Sequence, residues 1–265
     1  MLTAADFFDL AEFNHQALFD QGPVWNALKN LKAYMDARTY PGWNAAIPQD
    51  QPLPETFVIV DGEVLPAKGL TISLGDATKG KLTVTRDGQI LAGASVLMAG
   101  AIVSGGRIIL GRGVFVEAGA LIKSPAIIDD CAEIRQGAYL RGYCLIGKRC
   151  VVGHVTEVKH SIFLNDAKAG HFAYLGDSIL GNQVNLGAGT KLANLRFTGG
   201  EVPVKTPGGT VVSGLRKFGA IMADHVQTGC NSVTNPGTLL GRRTMLLPNT
   251  TSPSGYHPPN SIIKP

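Results

Sequence analysis

Charge is scarce in this chain. Only 17% of its 265 residues are Asp, Glu, Lys or Arg, the net charge is +4, and no block of Lys and Arg stands out. An electrostatic footprint for nucleic acid is therefore not expected, whereas a mildly positive protein still suits small anionic ligands. Cysteine is scarce too. Cys131, Cys144, Cys150 and Cys230 form no C-x-x-C pair and read as reduced thiols of a cytoplasmic protein. A basic leader is lacking, because the opening MLTAADFFDLAEF mixes acids with apolar residues, so no signal peptide is expected. Long apolar runs are lacking as well. The longest low-charge stretch, residues 90–106, is short and studded with Gly, Ala and Ser, so no membrane span is expected.

What is present is glycine, 33 residues of it, beside 15 prolines and a 45% hydrophobic content ample for a core. Such glycine without a Gly-X-Y period points to a fold of many tight corners. The first forty residues show helical spacing. Thr3 can cap a helix carrying Phe7, Leu10, Phe13 and Leu18, and Val24, Leu28, Leu31 and Met35 form a second apolar stripe after Gly22-Pro23. A Pro-rich connector (48–54) follows, then strand-like runs at 56–60 and 81–85 with Asp-Gly turns. Residues 1–90 thus read as a helical and hairpin region, and 91–265 as a second domain.

From about Leu91 the period becomes six. Leu110, Val116, Ile122, Ile128, Ile134, Leu140, Ile146, Val152, Val158 and Leu164 are spaced by six without a miss. Four positions after each stands a small or β-branched residue, Lys168 being the one exception among ten. A helix of 3.6 residues per turn would smear that period around its surface. A parallel β-helix accounts for it: six residues make one short strand and a corner, and three such sides make a coil. The aliphatic residue fills the interior and the small one fits beside the corner. The Phe/Leu/Trp stripe of the first forty residues is then expected as packing or as a cap over the open end. The frame stumbles where Gly170 and His171 follow Leu164, resuming at Leu180, and a second interruption spans roughly 197–218. Breaks in a solenoid mark loops, often on the binding face.

The residues around the first break are recognisable. Gly170-His171-Phe172-Ala173-Tyr174-Leu175-Gly176-Asp177 and Val184-Asn185-Leu186-Gly187-Ala188-Gly189-Thr190 resemble the acetyltransferase half of the bifunctional N-acetylglucosamine-1-phosphate uridyltransferase/glucosamine-1-phosphate acetyltransferases. Ala193-Asn194-Leu195-Arg196-Phe197 and Arg216-Lys217-Phe218-Gly219-Ala220 are most similar to archaeal sugar-1-phosphate enzymes of that group. The resemblance covers about residues 90–250. It implies an all-β fold, a left-handed parallel β-helix of hexapeptide repeats behind an N-terminal helical segment. It also implies N-acetylation of a hexosamine 1-phosphate by acetyl-CoA, in a homotrimer whose sites lie between subunits.

Carried over residue by residue, His171 falls on the family's general base and Glu157 on a carboxylate that orients it. Arg141 and Lys159 fall on substrate-phosphate positions, and Tyr174 and Asn185 on sugar-binding ones. Ala188, Asn194 and Cys230 fall on positions lining the acetyl-CoA site, with Cys230 in place of a frequent Ser. The loop after Asn194 departs from archaeal relatives. It reads Thr198-Gly199-Gly200-Glu201-Val202-Pro203 without their lysines, and Lys205 is the nearest substitute. Residues 1–90 are too few for the family's nucleotidyltransferase domain, so a separate nucleotidyltransferase is a conceivable partner.

The chemistry needs these residue types. An attacking amine must shed a proton, which a neutral imidazole can accept near pH 7. A backbone N–H in the Gly187-Ala188-Gly189 turn can meet the oxyanion. Arg141 and Lys159 are 18 residues apart, so a three-sided coil stacks them as two cations on one wall. Rival readings are a same-fold acyltransferase acting on another sugar or nucleotide sugar, and a non-catalytic β-helix that scaffolds a nucleotidyltransferase. Zinc chemistry of the γ-carbonic anhydrase kind is disfavoured, because His154, His160, His171 and His225 lack the close pair it needs. No metal site is expected.

Overall fold

In the computed structural model, which describes all 265 residues, three sheets run the length of the molecule and the chain visits them in rotation. The first face has eleven strands. Nine run parallel from Ser95–Leu97 to Ile262–Ile263, and Phe57–Val60 and Glu63–Pro66 add antiparallel at one end. The second face has eight parallel strands, from Ile102–Ser104 to Thr251–Ser252, and the third has eight, from Ile108–Leu110 to Gly255–His257. This is the left-handed parallel β-helix that the six-residue period and the resemblance together predict.

Three hexads close a coil of eighteen residues, so Leu121 lies beside Tyr139 and Tyr139 beside Glu157. The next coils have seventeen: Cys144 lies beside Ser161, Val151 beside Lys168 and Tyr174 beside Lys191. The missing residue is in the corner between the second and third faces. Gly142 and Tyr143 make that corner in one coil, and His160 alone makes it in the next, at a left-handed φ of 47°.

This relocates the frame break. After Val158 the interior position is taken by Phe163, which lies beside Ile146, while Leu164 faces outward. The small residue of the following corner is Ala167, fully buried, so the exception at Lys168 disappears and Lys168 is exposed. Ala169, not Gly170, fills the next interior place. The slip thus occurs one corner earlier than the sequence suggests. A five-residue step there costs nothing visible, because Phe163 and Leu164 are adjacent apolar residues and either could fill the interior.

The third face is buried on both sides. Its strands Ala126–Ile128, Cys144–Ile146, Ser161–Phe163, Ala220–Met222 and Thr238–Leu240 expose no residue. Ile127, Leu145, Ile162, Ile179, Ile221 and Leu239 point out of the helix into a 22-residue cluster with Phe7, Phe13, Leu18, Trp25, Leu31 and Met35. Each such side chain contributes about 1.5–3 kcal/mol through removal from water. The N-terminal arm therefore lies along a flat side rather than over the open end. The end is closed by Trp43, Ile47, Leu53 and Phe57, which join the interior core. The arm is also less helical than its spacing suggests. Asn26–Asp36 is a helix, but the first stripe yields only the turn Ala4–Phe7 and the 3-10 turn Gln16–Leu18. Packing overrides periodicity there, since Phe7 meets Tyr256 and Phe8 meets Phe19 edge-on, at 6.1 and 5.5 Å.

The chain leaves the coil after Lys191–Leu192 and returns at Ala220–Met222. Between them Pro203–Thr206 and Gly209–Val212 form an antiparallel hairpin. Val202 and Val204 anchor it in the cluster beneath the arm, and Lys205 packs over Gly255 near the far end of the helix.

Candidate functional site

The second face differs from the third. Its strands Tyr139–Arg141, Glu157–Lys159 and Tyr174–Gly176 bury their middle residue and turn the flanking ones outward, the alternation of a one-sided sheet. That alternation puts most of the candidate residues on one open face. Glu157 lies between Tyr139 and Tyr174, and Tyr174 lies beside Lys191.

The residues divide between the two corners of this face, on the order of 10 Å apart for a three-residue strand. At the corner shared with the first face, His171 ends the strand Lys168–His171 and lies beside His154 of the preceding coil in register. Its ring is exposed and hydrogen-bonds to no side chain or backbone group. The exposed Phe172 ring beside it meets His154 edge-on at 5.3 Å. One coil further on comes the Gly187-Ala188-Gly189 turn. Gly187 N–H donates to Thr228 O at 2.9 Å and Gly189 N–H to His171 O at 3.0 Å, whereas Ala188 N–H donates to no protein acceptor. Of the three amides only Ala188 keeps a free donor. Cys230 follows on the next coil, exposed, its backbone packed against Gly187, where an added Cβ would lie 2.6 Å from Cys230 N. Asn185 stands apart on the first face, exposed, between Lys168 and Gln227.

At the other corner the two cations lie on consecutive coils, as their spacing predicts, but each already has a carboxylate. Arg141 Nη1 donates to Glu157 Oε1 at 2.7 Å. Lys159 Nζ donates to both oxygens of Asp177, at 2.9 and 3.0 Å. Glu157 and His171 are therefore not brought together by any contact, and the carboxylate expected to orient the imidazole is engaged with the guanidinium instead. Asn194 is equally occupied: its amide donates to Asp177 Oδ2, and its carbonyl oxygen receives the Tyr174 hydroxyl at 3.4 Å. Lys205 lies away from this corner, packed against Gly255.

Three residues at the site escape a reading of the sequence. Asp177 forms a one-residue corner at φ 48°, is only 5% exposed, and also faces His160 Nδ1 at 3.2 Å. That His160 nitrogen is buried and off the line of a proper hydrogen bond. Burial pushes the Asp177 carboxyl up, but His160, Lys159 and Asn194 outweigh it and hold the group below the usual carboxylate range. Lys191 is the third. It donates to Gly189 O at 2.8 Å and has no carboxylate partner, which leaves it the uncompensated cation beside Tyr174. The signal for Asp177 was available: it stands 18 residues after Lys159, the same interval that links Lys159 to Arg141.

The four histidines that zinc chemistry would draw on are dispersed. His154 and His171 share one corner, His160 lies at the next, and His225 lies near Asn182 on the third. The largest cavities lie elsewhere. One of about 640 Å³ is lined by Met98, Phe115 and Glu133, one of about 540 Å³ by Val60, Leu65 and Arg112, and one of about 490 Å³ by Trp43 and Ile59. The second face itself is open. No helix is long and apolar enough to cross a membrane.

Residues 122–216 match the family model described as the GMPPB C-terminal domain, a stretch that holds every candidate residue except Cys230. A bifunctional sugar-1-phosphate nucleotidylyltransferase/acetyltransferase of Sulfurisphaera tokodaii is 44% identical over 92 residues, 35% of this chain and 23% of that protein. The bifunctional protein GlmU of Methanocaldococcus jannaschii is 43% identical over 86 residues, 32% of this chain and 21% of that protein. Among solved structures, a UDP-N-acetylglucosamine acyltransferase of Francisella novicida aligns with a TM-score of 0.42 and 14% identity, covering 55% of this chain and 51% of that one. The matched segments span under a quarter of the bifunctional relatives, and within them this chain is similar to the bifunctional sugar-1-phosphate nucleotidylyltransferase/acetyltransferases, as the motifs around His171 indicated.

Proposed function

We propose that the chain is an acyltransferase that moves an acetyl group from acetyl-CoA to the amine of a hexosamine 1-phosphate. One observation carries the chemistry: an unengaged imidazole, His171, and an uncommitted backbone donor, Ala188 N–H, stand on consecutive coils of one corner, tied by the bond from Gly189 N–H to His171 O. Bound acetyl-CoA would supply an activated thioester carbonyl. As the amine nitrogen bonds to the thioester carbon, His171 would take the proton that the amine must lose, through a ring nitrogen that no protein group occupies. That proton would pass to the coenzyme thiolate as the C–S bond breaks. Ala188 N–H would donate to the carbonyl oxygen as negative charge develops there, a fixed dipole that needs no reorganisation. Exposed Cys230 leaves a small side chain beside that donor, which fits a thioester lying along the corner. Tyr174 and Lys191 would hold the sugar and its phosphate, with Arg141 and Lys159 behind them, while Asn185 on the first face stands away from that group.

The face is open, so a single copy shields the reacting atoms from water poorly. We take the active form to be a homotrimer in which a neighbour covers the second face. The arm already occupies the third face and removes it from any such interface. A cytoplasmic setting suits acetyl-CoA and the unpaired cysteines, and a separate nucleotidyltransferase would use the product.

A second reading, the same chemistry on a different sugar or nucleotide sugar, is favoured by the carboxylate pairing of Arg141 and Lys159 and by the lysine-poor loop. One assay separates the two. Thiol release from acetyl-CoA is followed with glucosamine 1-phosphate, galactosamine 1-phosphate and a set of nucleotide amino sugars. Release with a hexosamine 1-phosphate supports the first reading, and release with a nucleotide sugar alone supports the second. No release with any acceptor would sink both.

A further inference from the structure

Lys159 and Asn194 reach the second face from different coils, and neither is held by its own strand. One buried side chain holds both. Asp177 accepts from Lys159 Nζ through both oxygens and from the Asn194 amide through Oδ2. Its backbone fixes the same corner twice more: its N–H donates to Lys159 O at 2.9 Å, and its carbonyl receives Gly219 N–H at 2.9 Å where the inserted loop rejoins the coil. Through Asn194 the contact extends to the Tyr174 hydroxyl. The position is demanding, because a non-glycine residue at φ 48° is uncommon and Asp is among the few side chains that tolerate it.

The geometry points to Asp177 as a positioning residue: it presents Lys159, and with it Asn194 and Tyr174, to the acceptor. This rests on the proposed function, in which the second face takes an anionic sugar. A merely structural ion pair would not need this arrangement. Lys159 is 26% exposed on its side chain while Asp177 is 7% exposed on its own. The carboxylate is thus committed to the protein and the ammonium is still reachable from solvent. An acceptor anion can therefore bind Lys159 from outside without displacing Asp177, and it meets an ammonium already fixed in place. Without Asp177 the long lysine side chain is free to leave the wall, and ordering it again would weaken acceptor binding.

The test has two parts. In the wild-type protein, reductive methylation followed by peptide mapping should find Lys159 about tenfold slower to react than Lys191, since its donors are committed to a carboxylate. Asp177→Asn should bring the two rates together. Equal rates in the wild type would overturn the proposal, and this measurement requires neither an active enzyme nor a folded variant. In steady-state kinetics, Asp177→Asn and Lys159→Ala should each raise KM for the sugar phosphate by about tenfold, and the double variant should be no worse than Lys159→Ala. Multiplying effects, about a hundredfold together, would show that Asp177 does not act through Lys159. A wild-type protein that releases no thiol with any acceptor defeats the functional reading alone. The methylation rates then decide the positioning claim.

Discussion

Arg141 Nη1 and Glu157 Oε1 lie 2.7 Å apart on neighbouring coils of the second face, and His171, at the corner from which the Glu157 and Tyr174 strands start, has no carboxylate partner. Both groups of the pair are partly exposed, so the bond itself adds little to stability. Its consequence is electrostatic: Glu157 offsets the charge of a cation expected to meet phosphate. Glu157→Gln should therefore lower KM for an anionic acceptor by a few fold and leave kcat within about threefold. If Glu157 oriented His171 instead, kcat would fall and KM would be spared. Initial rates with varied sugar phosphate distinguish the two.

The thiols should differ sharply in reactivity. Burial pushes the Cys144 thiol up to about 12, and Cys150 is raised as well, also by burial. Thiolate is the reacting form, so both should stay unmodified by a disulfide reagent at pH 8. Cys131 is half-buried and its thiol is raised by burial and by Asp130, so it should react slowly. Cys230 is exposed and should be modified first. One fast thiol, with Cys144 and Cys150 appearing only on denaturation, is the expected titration. Rapid modification of Cys144 in the native protein would contradict the interior packing of the coils.

The coils and their three faces were legible in the six-residue period, and the exact place of the frame break was not. Leu164 keeps the count of six while Phe163 fills the core, because a one-residue corner at His160 shifts the frame between two apolar neighbours. Lys168, the one misfit in the small-residue series, was the visible trace of that shift. The buried third face was also written in the chain, in strands such as Ala126-Ile127-Ile128 and Cys144-Leu145-Ile146 that are apolar on both sides. A two-sided strand needs a cover, and the aromatic arm supplies it. At the site, spacing placed Arg141 and Lys159 on one wall. It could not reveal their partners, because Glu157 and Asp177 reach them from neighbouring coils through side-chain geometry that a linear period does not encode.

The arm is predicted to be part of the folding unit. Leu31 is fully buried beneath the third face, and Leu31→Ala should cost about 2–5 kcal/mol through lost burial and the cavity left behind. Denaturant unfolding followed by circular dichroism should show one shifted transition. An arm that unfolds separately, with the β-helix transition unmoved, would mean that the third face is stable uncovered.

Val155 should be a site of stored strain. It is β-branched, exposed, and held at φ 49° on the corner next to His154, where an L-residue other than Gly or Asn is penalised. Val155→Asn should stabilise the chain by about 1 kcal/mol, equivalent to a Tm increase of roughly 2–4 °C at this size. A lower Tm would indicate that the exposed valine is packed against something in solution, and a neighbouring copy at this corner would be the first candidate to examine by light scattering.

His171 is the residue on which the chemistry turns. If its ring takes the amine proton, His171→Ala should lower kcat by roughly 10²–10⁴, the usual effect of a positioned base. Affinity for acetyl-CoA should change little, because Ala188 N–H and the corner beside Cys230 are untouched. The substitution is also structurally mild. The ring is exposed and makes no hydrogen bond, and the backbone carbonyl that receives Gly189 N–H remains. A stability change beyond about 0.5 kcal/mol is therefore not expected, and loss of activity can be assigned to the lost imidazole. His154→Ala is the matched control. It removes the histidine beside His171 on the preceding coil, whose Nδ1 is engaged with Gln136 O at 3.0 Å, and it should leave kcat within a few fold. Retained kcat in a folded His171→Ala protein would place proton removal elsewhere, and a comparable loss in His154→Ala would point to the corner's packing rather than to a base.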